Sequence, residues 1–240
     1  SCDYLLGLPF SFIANVDGYG AWPPIYESHV EMDGAWALFA AFVRLPCGAI
    51  DSALVVGSGK SSSGVPREIF PLQTDPYVGA PIGFDPVSAA GLQARALLEA
   101  GKATERDFAE VVSRSRRDGL SNPHAQVAKD VSVETLLKEP YYASPLRKHD
   151  CPPITDGCAA MVIAASDTAK QHCSKPAWIR GIEHRYDSHR LGGRDLSVSP
   201  STEAAGKAAG VGNVDFAEIH APFTHQELIV RKALGLGDGV

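Results

Sequence analysis

Residues 144–166 read SPLRKHDCPPITDGCAAMVIAAS. Asp156-Gly157 reads as a turn, with glycine for backbone freedom and aspartate as a local cap. Cys158 to Ala165 (CAAMVIAA) is a short apolar run bounded by that turn, which predicts a buried strand. Ser166-Asp167 then opens a helix. A second run of the same kind, DSALVVG at 51–57, lies far upstream between glycine-containing turns. It follows HVEMDGAWALFAAFVRL at 29–45, where Ala35, Leu38, Phe39, Phe42 and Leu45 fit a helical face. The order loop, helix, buried strand predicts a layered α/β fold with parallel strands.

Between the two runs, residues 58–85 are rich in Ser, Gly and Pro and read as irregular surface structure. A helix from Pro86 to Ala100 ends at Gly101. A second starts at an N-cap Thr104 and runs to Asp118. Residues 121–150 are polar and interrupted by proline. The whole of 58–150 reads as a mostly helical insertion attached to the sheet at both ends. Beyond 166, the pattern predicts a strand at 177–184, a small-residue helix at 202–209, a strand at 216–220 and a helix at 224–234.

Composition bounds the function. The chain has 240 residues, 45% of them hydrophobic, enough for one large domain or two modest ones. Net charge is −6 and basic residues cluster no more densely than at Arg114, Arg116 and Arg117, which argues against nucleic acid. Those arginines read as a solvated helix face. Apolar stretches are far shorter than a bilayer span, and no basic-then-apolar leader precedes Cys2. The 5 cysteines show no paired framework and no Cys/His spacing for a metal, which favours a reducing cytoplasm. Cys151, Cys158 and Cys173 read as small fillers or surface thiols. Lys60 with Ser61 to Ser63 lacks the frame of a Walker loop.

Four stretches, in order along the chain, resemble the thiolase superfamily, closest to its sterol-carrier and lipid-transfer branch. They are the helix entrance at Val30-Glu31 to Ala35, LVVGSGKSSSG at 54–64, the 144–166 stretch, and EIHAPFTHQEL at 218–228. The last resembles the family's Glu-Val-His-Asp-x-Phe motif. The resemblance implies a thiolase-like αβαβα fold with mixed sheets and a helical lid. It divides the chain into an incomplete N-terminal half at 1–57 and 151–170, a lid at 58–150, and an incomplete C-terminal half at 171–240. A partial chain is expected, since the family's Gly-His-Pro and Cys-x-Gly loops would follow Val240.

The nucleophile is where the resemblance breaks. Thiolase chemistry needs a thiolate at a helix N-terminus, where the dipole lowers the thiol pKa. Gly34 occupies that position, Asp33 precedes it, and Trp36 replaces a small serine. No cysteine lies between Cys2 and Cys47, and Cys47 falls past the helix's far end. Asp33 fits an N-cap, with a catalytic carboxylate as the sharper alternative. His220 matches the motif histidine that, in relatives, helps build an oxyanion hole for the thioester oxygen. Ala221 stands where the family has Asp, and Pro222 stiffens the turn. Phe223 reads as core, and His225 as a surface residue of the next helix's first turn.

These features imply a protein acting on a coenzyme A thioester, as substrate or ligand, with no tightly held cofactor. Retro-aldol carbon–carbon cleavage needs no acyl-cysteine, as in steroid side-chain aldolases of the branch, although those tend to hold Tyr at the position of His220. A non-catalytic acyl-CoA or lipid-binding subunit, or a conventional acetyl-CoA acyltransferase, are the alternatives. A homodimer and a small partner with an OB-fold and zinc ribbon are the partners the resemblance implies.

Overall fold

The computed structural model describes residues 4–7, 26–30, 34–60, 62, 64–72, 74–188 and 190–237. The chain divides into two compact units, one of 1–63 with 155–182, the other of 64–154 with 183–240.

The first unit is built on a mixed sheet. Strand β1 (Tyr4–Gly7) pairs in parallel with β2 (Tyr26–His29) and with β3 (Ser52–Lys60). Strand β4 (Asp156–Ala164) pairs antiparallel with β3 along their whole length, from Ser52 opposite Ala164 to Lys60 opposite Asp156. The two apolar runs are therefore neighbours, although the fourth strand runs against the parallel expectation. Helix α1 (Gly34–Phe42) is shorter than 29–45, because Tyr26–His29 is drawn into the sheet and Gly48, at φ 68°, turns the chain after the helix. Ala37 and Ala41 pack on Ala53, Val55 and Ile163, so small helix residues bring the helix close to the sheet.

Several expectations change. β4 is exposed over most of its length, Met161 and Val162 included, and among the described residues it is a sheet edge rather than a buried strand. Asp156 lies inside the strand rather than in a turn, and its carboxylate accepts from Ser62 N at 2.9 Å and from the Ser62 hydroxyl. β3 lies between β1 and β4, paired with β1 over Ala53–Val55 and with β4 along its whole length. Residues 177–184 and 216–220 do not form strands. A strand needs a neighbour for its backbone groups. Among the described residues those runs have none, and Trp178 and Phe216 stay exposed.

The second unit is helical around a clasp supplied by 144–150. Helix α2 is Pro66–Leu72 and α3 is Pro86–Glu99, capped by Asp85, whose side chain accepts from Ser88 N at 2.7 Å. Helix α4 (Glu105–Asp118) starts in a capping box between Thr104 and Asp107. Short α5 (Val133–Leu137) is followed by a hairpin of β5 (Tyr141–Ala143) and β6 (Leu146–Arg147). Helix α6 (Ser166–His172) belongs to the first unit, while α7 (Pro200–Ala209) and α8 (Thr224–Leu234) complete the second. Ala90, Ala94, Leu97, Phe108, Leu146, Phe223 and Ile229 form its main core. α7 lies tight on α8: a Cβ on Gly206 would sit 2.5 Å from Leu234 Cδ2.

Arg147 and Asp150 hold this unit together. The Arg147 side chain, 9% exposed, pairs with Glu105 at 2.7 Å and donates to the carbonyls of Glu139 and Leu137. Its guanidinium also covers the Tyr141 ring at 4.6 Å. Burial raises the Glu105 carboxyl, but hydrogen bonds from Tyr141 and Arg147 outweigh it and hold the group below the usual range. Asp150, 2% exposed, accepts from Arg147 N at 2.7 Å and from the Thr224 hydroxyl at 2.6 Å. That second bond ties the start of α8 to the clasp. Arg114 of α4, read as solvated, instead pairs with Glu227 of α8.

His225 is wholly buried rather than on the surface, between the rings of Phe108 and Phe223 at 6.0 and 6.2 Å. Burial alone pushes its pKa down to about 4, so the ring is neutral at ordinary pH. Among the described residues no helix is long and apolar enough to cross a membrane.

Two outcomes test this architecture. Asp150→Ala strips two buried donors of a charged acceptor and should cost about 3 kcal/mol in urea unfolding. Met161→Ala, on the exposed edge, should cost under about 0.5 kcal/mol. For His225, the unfolded chain takes up a proton below its ordinary pKa of 6.5 and the folded one does not until about 4. Stability contributed at neutral pH is thus lost as pH falls from 6.5 towards 4, by about 2 kcal/mol between pH 7.5 and 5. Urea midpoints of the parent and of His225→Leu should converge by that amount on acidification.

Candidate functional site

His220 precedes α8 in an extended, exposed segment. It lines a cleft of about 290 Å³ in the second unit, with Gln93 on α3, Ser199 before α7, and Pro222, Gln226 and Ile229 around the start of α8. The sequence puts these side chains there for identifiable reasons. Phe223, 8% exposed, is driven into the core as expected and anchors the chain immediately after the His220 turn. Thr224 is fixed on Asp150. The segment from His220 to Gln226 is therefore held at both its apolar and its polar points.

The floor of the cleft is a polar network that the sequence did not announce. Phe223 N donates to Gln226 Oε1 at 3.2 Å. Gln226 Nε2 donates to Gln93 Oε1 at 3.3 Å. His225 Nε2 meets the same Gln93 oxygen at 3.1 Å. Its other nitrogen, Nδ1, is buried without a hydrogen-bond partner. A neutral imidazole between two phenyl rings and an amide oxygen satisfies one nitrogen and strands the other. The periodicity of THQEL placed His225 on a surface. The missed signal is that a helix starting at Thr224 buries its first turn, as the Asp150 bond requires.

The other sequence-derived candidates lie in the first unit. Gly34 is the first residue of α1, where a helix dipole would act on a side chain. Among the described residues, a Cβ added there would meet only Gly57 Cα, at 3.8 Å, an ordinary contact, so their packing does not demand glycine at this position. Trp36 stacks on Phe39 with centroids 5.7 Å apart. Asp33 lies outside the described residues. Cys47, Cys158 and Cys173 are exposed, and Cys151 is half-buried with its thiol on Arg147 O at 3.6 Å.

No protein-family model matches the chain. Curated proteins do. An acetyl-CoA acetyltransferase of Methanothermobacter thermautotrophicus is 26% identical over 226 residues, covering 88% of this chain and 58% of that protein. Sterol carrier protein 2 of Gallus gallus is 24% identical over 226 residues, 85% of this chain and 41% of its own. A 17-hydroxy-3-oxo-4-pregnene-20-carboxyl-CoA lyase of Mycobacterium tuberculosis is 30% identical over 95 residues, 39% of this chain and 25% of that one. The chain thus spans between a quarter and three-fifths of the length of these relatives. Among solved structures, the Ltp2-ChsH2(DUF35) aldolase superposes with a TM-score of 0.80 at 21% identity, covering 98% of this chain and 66% of that one. A monomeric SCP2-thiolase-like protein type 1 of Mycobacterium smegmatis does so at 0.72 and 19%, covering 98% and 54%. The homologues of this chain are therefore thiolase-like and sterol-carrier-type thiolase-like proteins, and its α/β architecture is the thiolase fold.

Proposed function

We propose that this protein acts on acyl-CoA thioesters without an acyl-cysteine, by retro-aldol carbon–carbon cleavage. The observation that carries the reading is the His220 cleft, polar at its base, in a chain whose α1 begins at Gly34. A glycine cannot take an acyl group, so chemistry that forms an acyl-enzyme has no acceptor at that helix N-terminus. Retro-aldol cleavage of a β-hydroxyacyl thioester needs none. A base removes the β-hydroxyl proton, the Cα–Cβ bond breaks to give a carbonyl at Cβ, and its electron pair passes to the thioester as an enolate. Protonation at Cα then releases the shortened acyl-CoA. The charge that develops is on the thioester oxygen, and His220 is the donor assigned to it.

The CoA lyase and the aldolase among the similar proteins support this class of reaction. The second component named with that aldolase supports a partner protein, for which the OB-fold and zinc-ribbon expectation stands. A homodimer is proposed on the resemblance alone.

Two measurements test the reading on the full-length protein with any partner it requires. Incubation with acetyl-CoA should leave the intact mass unchanged; an acetyl adduct on a cysteine at turnover-competent rate would overturn it. With a β-hydroxyacyl-CoA substrate, His220→Ala should slow cleavage roughly a hundredfold while binding stays nearly intact. Equal rates would make His220 structural. Binding without any cleavage by the parent would favour the non-catalytic acyl-CoA-binding subunit.

A further inference from the structure

We infer that Gln93 is a second ligand-binding residue of the His220 cleft: its side-chain NH₂ donates to an acceptor oxygen of the bound molecule, and His225 and Gln226 hold it in that orientation. The inference deepens the function proposed above and rests on it for the identity of the ligand.

The direction of every bond in the network follows from one backbone group. Phe223 N–H can only donate, so the Gln226 atom it meets at 3.2 Å is the carbonyl oxygen. The other end of the Gln226 amide is then NH₂, and the Gln93 atom it meets at 3.3 Å must accept. That atom is the Gln93 oxygen. His225 Nε2, 3.1 Å from the same oxygen, must therefore carry the ring proton. The orphaned Nδ1 holds a lone pair and no proton. Both lone pairs of the Gln93 oxygen are used, each by a side chain of α8.

What remains of Gln93 is its NH₂, which has no protein acceptor among the described residues, on a side chain that lines the cleft with His220. A free glutamine amide presents either end. Flipping this one would set NH₂ against two N–H donors and leave His225 Nε2–H and Gln226 Nε2–H unpaired, at a cost of about 1–3 kcal/mol each. The donor end is thus preset towards the cleft, and no reorganisation accompanies binding. Such a group selects a ligand that accepts: a carbonyl or enolate oxygen. In the thioester reading that oxygen is the acyl carbonyl.

The test compares acetyl-CoA with S-ethyl-CoA, a thioether of similar size that lacks the carbonyl oxygen, by calorimetry on the full-length protein. The parent should bind acetyl-CoA roughly tenfold tighter, the worth of one such hydrogen bond. Gln93→Glu keeps an acceptor oxygen for His225 and Gln226 but removes the donor. It should abolish the preference while S-ethyl-CoA binding and the urea midpoint stay near the parent's. Gln93→Leu should also abolish the preference, with a lowered urea midpoint because His225 and Gln226 lose their shared acceptor. His225→Phe leaves Gln226 as the remaining restraint on the amide and should reduce the preference, by less than Gln93→Glu does. A parent preference that survives Gln93→Glu would overturn the role of Gln93 and leave the proposed function standing. A preference unmoved by His225→Phe would overturn the holding role of the imidazole. Absence of acyl-CoA binding by the parent would overturn both this inference and the reading it rests on.

Discussion

A single buried carboxylate organises the second unit. Asp150 closes the Ser-Pro-Leu-Arg-Lys-His-Asp stretch onto itself through Arg147 N and reaches across sequence to the Thr224 hydroxyl. Both bonds are short, and both donors are buried, so neither can be exchanged for water without cost. Thr224 is the first residue of α8. Fixing it sets the helix's rotation, and the rotation decides which residues of THQEL turn inward. His225 and Ile229, one helical turn apart, go to the core, and Gln226 faces the cleft. Arg147 adds the opposite tie, pinning Glu105 at the start of α4 and the carbonyls after α5. A buried pair of this kind contributes more to specifying one arrangement than to net stability.

From that constraint the polarity of the cleft follows without further charge. The network beneath His220 contains two amides, one neutral imidazole and one backbone N–H. Burial that holds His225 uncharged leaves the network without a cation. A site meant to stabilise developing negative charge is served by fixed donors that need not move. An amide whose oxygen is doubly occupied is a fixed donor, and here its two restraints come from adjacent residues on one helix turn.

Much of this was legible in the residues. The apolar runs at 51–57 and 158–165 announced paired strands, and caps at Asp85 and Thr104 announced helices, because these signals are local and act through backbone hydrogen bonds. The burial of the first was legible too, with Ala53, Val55 and Val56 buried in β3; the exposure of the second was not. CAAMVIAA is apolar enough for a core, yet β4 is a sheet edge with Val162 62% exposed, since apolar content reports preference and not which neighbours are present. The runs at 177–184 and 216–220 had strand-like composition but, among the described residues, no partner. His225 was misread because its burial depends on the bond from Asp150 to Thr224, seventy-four residues apart, a distance over which no periodicity speaks. The Gln93 contact, spanning 132 residues, was invisible for the same reason.

The glycine at position 34 sharpens the functional argument from another side. α1 packs on the sheet through Ala37 and Ala41, both wholly buried, and that close approach explains the small residues along its inner face. Gly34 is not explained this way. It is only partly buried, its conformation is one any residue adopts, and a Cβ would find Gly57 at ordinary contact distance. On the function proposed above, in which Gly34 stands at the nucleophile position, the described surroundings of that helix end leave room for a side chain, and the polar cleft of the second unit is where chemistry without an acylated residue would be sought.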